Sequence, residues 1–440
     1  MFDPVNEPAF RLDVAGLSDA LEVLAFTGRE SISEPFVFDV ELLIDDLTLD
    51  LSSLLYRSAS LHFGPAGNCV HGQLHELVQR DHGPASRLCH VRLGPRLACL
   101  SQRFSQRIFS ARTVPQILDQ VLREHGIVGQ ARRFELSGDY PARDFCTQYR
   151  ESDLQFVQRL CAQERLHYHF EHGARGHCVV FADGHGHFRR GDAAVFCADG
   201  QQPAVRRLDV QRCADNAAQT VQCHTDLPTL RSGQLMPLAR HPVAESNQPW
   251  LLTHVEHQGS QDPNEPYSNQ LRAIRWEAPF ESSHSAQKPA MHSLQRAWVV
   301  GVDESAPDPA RPVAVQFDWL YQGEGAAPSH CWLPLAPALE AENVTGLSEG
   351  TEVVVSFIEG DPDQPLITGF LHPPQLLEEE EMPVSLPLDD CPPEGVTDWL
   401  RSGEPLMLLC LLPGGGSFNH CAQAFCACRA AARLGQSGAA

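Results

Sequence analysis

Tyr149-Arg-Glu-Ser-Asp153 leads into Leu154, Val157, Leu160 and Cys161 at helical spacing, and then into Tyr168-His-Phe-Glu-His172. The first part predicts a helix from about Ser152 with one apolar face. The second predicts a strand with Tyr168 and Phe170 on one side and His167, His169 and Glu171 on the other. Upstream, Thr113 is placed to cap a helix whose Ile117, Leu118, Val121 and Leu122 share a face, and Gly126 to end it. Strand-like sequence flanks this helical island. Phe36, Phe38 and Val40 alternate with Val37, Asp39 and Glu41, and Gly64-Pro65 and Gly67-Asn68 supply turns. Residues 205–280 are again strand-like, and a proline-rich, polar linker follows at 279–293. Beyond it, short strands are predicted at 298–301, 313–319, 331–333, 353–358 and 366–368. Five strands in about 75 residues is the size of a small Greek-key barrel of the OB type. The fold class is therefore mainly β with an α/β insertion.

Composition narrows the function. A chain of 440 residues is long enough for roughly three domains. With 42% hydrophobic and 20% charged residues it reads as folded rather than disordered. The net charge is 33 − 56 = −23, and such a surface repels phosphate backbones, which excludes general nucleic-acid binding. Lys288 is the only lysine, so 33 − 1 = 32 basic residues are arginines. Pro289 follows it, so no GxxxxGK[ST] phosphate loop exists, and Schiff-base chemistry would rest on a single amine. The start, MFDPVNEPAF, lacks a basic segment followed by an apolar core, so no signal peptide is expected and the chain should fold in the cytosol. The longest apolar run, Leu406 to Leu412, is far short of the ~20 residues that span a bilayer. Fifteen scattered cysteines, an odd number, do not suggest a secreted disulfide framework.

Three groups of residues carry a resemblance. Phe109-Ser-Ala-Arg-Thr-Val-Pro-Gln-Ile-Leu, Tyr149-Arg-Glu-Ser-Asp153 and Tyr168-His-Phe-Glu-His172 resemble the hub region of VgrG proteins, the spike proteins of bacterial type VI secretion. Thr27-Gly-Arg-Glu and Pro35-Phe-Val-Phe-Asp-Val-Glu-Leu42 resemble that family's first barrel. Val313-Ala-Val-Gln-Phe-Asp-Trp319, Cys331-Trp332 and Glu352-Val-Val-Val-Ser-Phe-Ile-Glu-Gly-Asp-Pro-Asp-Gln-Pro365 resemble its OB domain.

The resemblance implies two barrel-like phage-tail-hub domains followed by an OB-fold barrel. Residues 1–108 would be the first hub β-barrel, 109–204 its inserted α/β part, 205–290 the second hub β region and 296–372 the OB domain. It also implies a homotrimer that seats on the hexameric Hcp tube, carries a piercing tip protein and toxin or effector cargo, and meets the target membrane only through the assembled spike. Such a protein would be cytoplasmic at assembly and then secreted into the target cell or medium. Family members continue into a long triple-stranded β-prism. Here 440 − 372 = 68 residues follow His372 without an alternating pattern, so the chain reads as a short form whose residues 373–440 are a poorly ordered tail of unknown role.

Candidate chemistry is sparse. Gly346-Leu-Ser348-Glu-Gly350 matches a nucleophile elbow, but that motif needs a strand before the serine and a helix after it, and here a strand follows. It reads as a turn. His75-Glu-Leu-Val-Gln79 lacks the second histidine of a zincin. His167, His169 and Glu171 read as a solvated or interface-facing row, because one strand presents only two or three ligands at ~7 Å intervals. In the tail, His420, Cys421, Cys426 and Cys428 have donor types that suit zinc, yet their spacing matches no common module, and no metal is expected. Tyr149, Arg150, Glu151 and Asp153 are read as a structural hub motif. Arg150 is offered as a bidentate carboxylate partner, and Asp153 as a helix N-terminal charge. Trp332, Phe357, Glu359, Gly360, Asp361 and Pro362 mark the OB domain. The reading is a non-enzymatic spike and hub component without cofactor. Its alternative is a spike-like scaffold with a small metal-dependent or effector tail.

Overall fold

Apolar residues recur at every second position in β1 (Phe10–Val14), β3 (Val37–Ile44), β4 (Ser58–Phe63) and β6 (Arg87–Gly94), while β2 (Leu21–Ser31) and β5 (Cys69–Asp81) each change phase at a register shift, after Val23 and after Leu74. The strands pair in the order β1-β4-β5-β6-β3-β2, and β1 also pairs with β2, so six strands close into a barrel. Phe26, Phe38, Leu42, Leu61, Phe63 and Leu93 fill it. Gly28 is required in β2, because a Cβ there would lie 2.2 Å from the Phe38 ring. The molecule is described from a computed structural model. It covers residues 10–371, apart from 47, 82–85, 174–175, 213–218, 266, 279, 281–286, 304–305, 307, 321–329 and 340–346.

The helical island folds onto this barrel. Helix α1 (Val114–Glu124) starts with a capping box between Thr113 and Gln116, and α2 (Asp153–Gln163) with one between Ser152 and Gln155. Strands His167–Gly173 and Gly176–Ala182 form an antiparallel hairpin, to which Arg132–Glu135 adds in parallel. The apolar faces of both helices and the hairpin's Tyr168, Phe170 and Phe181 merge with the barrel interior into one core.

A second ring of strands follows. Val205–Arg212, Gln219–Thr225, Ser268–Arg275, Pro249–Ser260 and Gln234–Ala239 pair in that order. Ala194–Val195 pairs with Gln234–Ala239, and a single bridge from Phe196 to Val205 brings the ring to closure. The strands at 189–190 and 194–195 fall within the stretch the sequence assigned to the insertion, yet they pair into this second ring. They are only two residues long, too short to show a period. Pro249–Ser260 also pairs antiparallel with β2 from Ala25 to Ser31, so one 13-stranded sheet runs through both rings.

The described residues divide into two units at Pro289 and Ala290, apart from the short excursion Gln106–Ile108. In the second unit five strands pair in the order Cys331–Leu333, Val313–Phe317, Gln295–Val299, Glu352–Phe357, Pro365–Phe370. Leu335 bridges to Ile367, with Ala336 N–H donating to the Ile367 carbonyl at 2.8 Å, and this closes a small barrel.

Candidate functional site

The hub motif lies on strand Cys146–Ser152 and runs into α2. Tyr149 and Glu151 are buried and Arg150 is exposed, in a strand whose residues Cys146–Tyr149 are all buried. Arg150 has φ 50°, a left-handed conformation that costs a non-glycine residue roughly 1–2 kcal/mol. Its guanidinium lies over the Tyr149 ring, 5.1 Å from the centroid. The buried bidentate pairing belongs to another arginine. Arg159, two turns along α2, donates from Nε and Nη2 to the two Glu151 oxygens at 3.1 and 2.7 Å, and from Nη2 to the Thr147 carbonyl at 2.9 Å. Arg159 locks the helix to the strand that precedes it, while Arg150 faces solvent.

Asp153 is fully buried at the first turn of α2. Gln148 Nε2 donates to its Oδ1 at 2.8 Å, and His125 Nε2 lies 2.7 Å from Oδ2, with Arg103 Nε at 3.5 Å. Its own amide donates to the Arg103 carbonyl at 2.9 Å. Besides favouring the helix N-terminus through its charge, this carboxylate binds the start of α2 to the end of α1.

A second buried charge joins the two rings. Glu30 of β2 is 4% exposed, with Arg231 Nε at 3.5 Å, His257 Nε2 at 3.3 Å and the Ser232 amide donating at 3.3 Å. Arg231 continues to Asn68 Oδ1 at 2.9 Å, and His257 Nδ1 to the Tyr267 hydroxyl at 2.7 Å. Burial alone would push the Glu30 carboxyl up, but Arg231 and then His257 bring it down to about 2. Sequence reasoning missed this cluster. The signal was present: in β2, Glu30 shares the inward phase of Phe26 and Gly28, and a charge on a core phase needs a buried partner.

The histidine row differs from expectation. His167 and His169 are buried, not solvated or turned to an interface, because Phe188 packs over them with ring centroids at 4.6 and 5.5 Å. Burial holds both rings neutral, with His167 down to about 3 and His169 to about 4. Glu171 pairs with Arg133 at 2.9 Å and Arg189 at 2.7 Å. Among the described residues no group of three or more His, Cys, Asp or Glu side chains is placed to hold a metal ion. His420, Cys421, Cys426, Cys428 and the rest of 373–440 lie outside the described residues. Ser348 sits in a turn, its hydroxyl 3.3 Å from Thr351 Oγ1, immediately before strand Glu352–Phe357. His75 and Glu76 occupy a strand, with Glu76 paired to Arg92.

In the second unit, Phe357 packs near Phe317 at 6.3 Å, and Trp332 meets His330 edge-on at 6.0 Å. Glu359-Gly360-Asp361-Pro362 makes the last hairpin turn. Gly360 has φ 75°, its carbonyl accepts from the Met291 amide at 2.8 Å, and a Cβ there would lie 2.6 Å from His292 Nδ1. Asp361 Oδ1 closes the turn by accepting from the Asp363 amide at 2.9 Å. Glu359 to Pro362 thus shape the loop between strands Glu352–Phe357 and Pro365–Phe370.

Comparison with known proteins agrees with this geometry. Residues 29–217 match the family described as phage tail baseplate hub. The type VI secretion system spike proteins VgrG4b and VgrG5 of Pseudomonas aeruginosa are 35% and 33% identical, over 84% and 96% of this chain. The chain spans 57% and 62% of their lengths. An Escherichia coli component of the type VI secretion system, described as structurally similar to the T4 bacteriophage tail proteins gp27 and gp5, superposes with a TM-score of 0.69. It is 24% identical and covers 82% of this chain and 99% of its own.

Proposed function

This chain is a homologue of the VgrG spike proteins of type VI secretion with a tail baseplate hub domain, and from that premise we propose that it is the load-bearing hub of a contractile injection apparatus. The observation that carries this reading is the pair of six-strand rings joined edge to edge through β2 and Pro249–Ser260. Three copies of two such rings give six similar units, which complements a hexameric tube of Hcp. Nothing in that task needs a bond to be made or broken. The strongly displaced groups Glu30, His167, His169 and His172 are buried and engaged in packing or pairing, which supports an output of shape and a hub that acts without enzymatic chemistry.

A homotrimer supports this arrangement energetically. At ~25 cal/mol per Å2 of apolar area, an obligate interface of a few thousand Å2 outweighs the entropy of association. Outward-facing Arg150 of the hub motif is a candidate contact to a neighbouring copy. The tip protein and the effector cargo would ride on the assembled spike, which leaves the cytoplasm with it. Size-exclusion chromatography with light scattering is the test. A mass three times that of the chain, and co-sedimentation with assembled Hcp hexamers, are expected. A well-folded monomer that ignores the tube would overturn the proposal.

A further inference from the structure

Histidines line the contact between the first barrel and the hairpin of the insertion. His172 and His177 sit opposite one another near the hairpin's Gly173/Gly176 end, with ring centroids 6.2 Å apart. Both meet Phe36 edge-on, at 5.2 and 5.7 Å, and His71 of β5 stacks on His172 at 6.4 Å. The His71 amide N–H donates to His172 Nδ1 at 3.1 Å. An amide can only donate, so Nδ1 must keep its lone pair and the neutral ring carries its proton on Nε2. A second proton would set N–H against N–H and break this link between barrel and hairpin. His71 itself is held by Ser60 Oγ at 2.7 Å and Cys69 Sγ at 3.1 Å.

The charges around the contact offer little compensation. His172 faces Glu30 of β2, Arg231, His177 and His71; His177 faces His71 and His75 of β5 and Arg96 beyond β6. Glu30 is already committed to Arg231 and His257, and Asp13 of β1, which lines the adjoining cleft, is committed to His62 at 2.9 Å. Burial, opposed by Glu30 and reinforced by Arg231, holds His172 down to about 3, and burial followed by His71 holds His177 down to about 4. A cleft of about 560 Å3 lined by Asp13, His71, Arg96 and His177 brings solvent, and hence protons, to the seam.

We propose that this seam is a proton-operated latch, in which neutral His172 and His177 hold the end of the hairpin against the barrel and an acidic surrounding releases it while the rest of the barrel stays closed. The sign follows from linkage. Folded values below the ordinary histidine value of about 6.5 mean that the latch is fully closed above that pH and weakens as pH falls toward 4. Tyr168 and Phe181, buried in the common core at the other end of the hairpin, keep that end anchored. The latch rests on contacts within this one unit and stands whether or not the chain assembles into a spike.

Hydrogen exchange of the full chain, read by mass spectrometry at pH 7.5 and 5.0 and corrected for intrinsic rates, tests it. Opening at pH 5.0 should increase by about 30-fold for each ring freed to titrate at its ordinary value. Amides of 170–173 and 176–179 should therefore lose protection strongly, while those of 249–260 keep theirs. His172→Asn with His177→Phe, which retains an acceptor and an aromatic ring but no proton site, should abolish the pH effect. Unchanged protection of the hairpin in the parent chain, or a loss spread evenly over both rings, would overturn the latch. So would a pH effect that persists in the double variant. The parent measurement decides alone if that variant does not fold.

Discussion

The two rings of the first unit use the same number of strands and are held by different means. The first is packed with aromatic side chains: Phe26 lies 5.3, 6.3 and 4.9 Å from Phe10, Phe38 and Phe63. Its core continues without a break into the helices of the insertion. The second encloses a smaller core around Trp250, Met236, Val221 and Leu252, and its ring is completed by one bridge. The two meet at a buried ion cluster, Glu30 with Arg231 and His257. Apolar cores tolerate small displacements, whereas a buried carboxylate does not. A one-residue slip of β2 would turn Glu30 outward and leave Arg231 and His257 unpaired. The difference teaches that hydrophobic packing makes each ring and charge sets how one ring registers against the other.

Removing the charge should break that division most severely. Glu30→Ala strands Arg231 and His257 in the interior and is expected to cost about 3–5 kcal/mol in chemical denaturation of the first unit. A further Arg231→Met change should recover part of the loss. Acid probes the same contact. A Glu30 carboxyl held at about 2 contributes stability that is present above its ordinary value and lost as pH falls from about 4.5 toward 2. That contribution is about 3 kcal/mol and should be absent from the Glu30→Ala chain, as a difference between their pH–stability curves. Smaller effects sharpen the contrast between packing and charge. Gly360→Ala meets a left-handed backbone and the His292 ring, and should lower the second unit by roughly 1–2 kcal/mol while the first unit's transition is unmoved. Arg150→Ala removes only an exposed stacking contact and should change stability by less than about 1 kcal/mol. If Arg150 contacts a neighbouring copy, the same variant should nevertheless shift the monomer–trimer balance in sedimentation.

Much of this fold was legible in the sequence because it is local. Thr113 and Ser152 cap their helices, Ile117, Leu118, Val121 and Leu122 face inward, and the five strands of the second unit fall within a few residues of their predicted positions. The two-residue strands at 189–190 and 194–195 were illegible because no period fits into two residues. The sequence singled out Tyr149 to Asp153, but not the most connected pairing made there. Arg150 and Arg159 are chemically identical in sequence, and only the strand-to-helix turn decides that Arg159 meets Glu151 and Arg150 meets solvent.

Residue order alone determined the helices, the strand phases, the turns and the resemblance that orders the domains, because caps and hydrophobic periods act over a few neighbours. Tertiary structure decided what each polar side chain answers to. His167 and His169 look like a wet row until Phe188 covers them, and Glu30 looks like a surface charge until Arg231 and His257, some 200 residues away in the chain, close over it. Electrostatic partners are chosen by distance in space, and a linear pattern carries no measure of that distance.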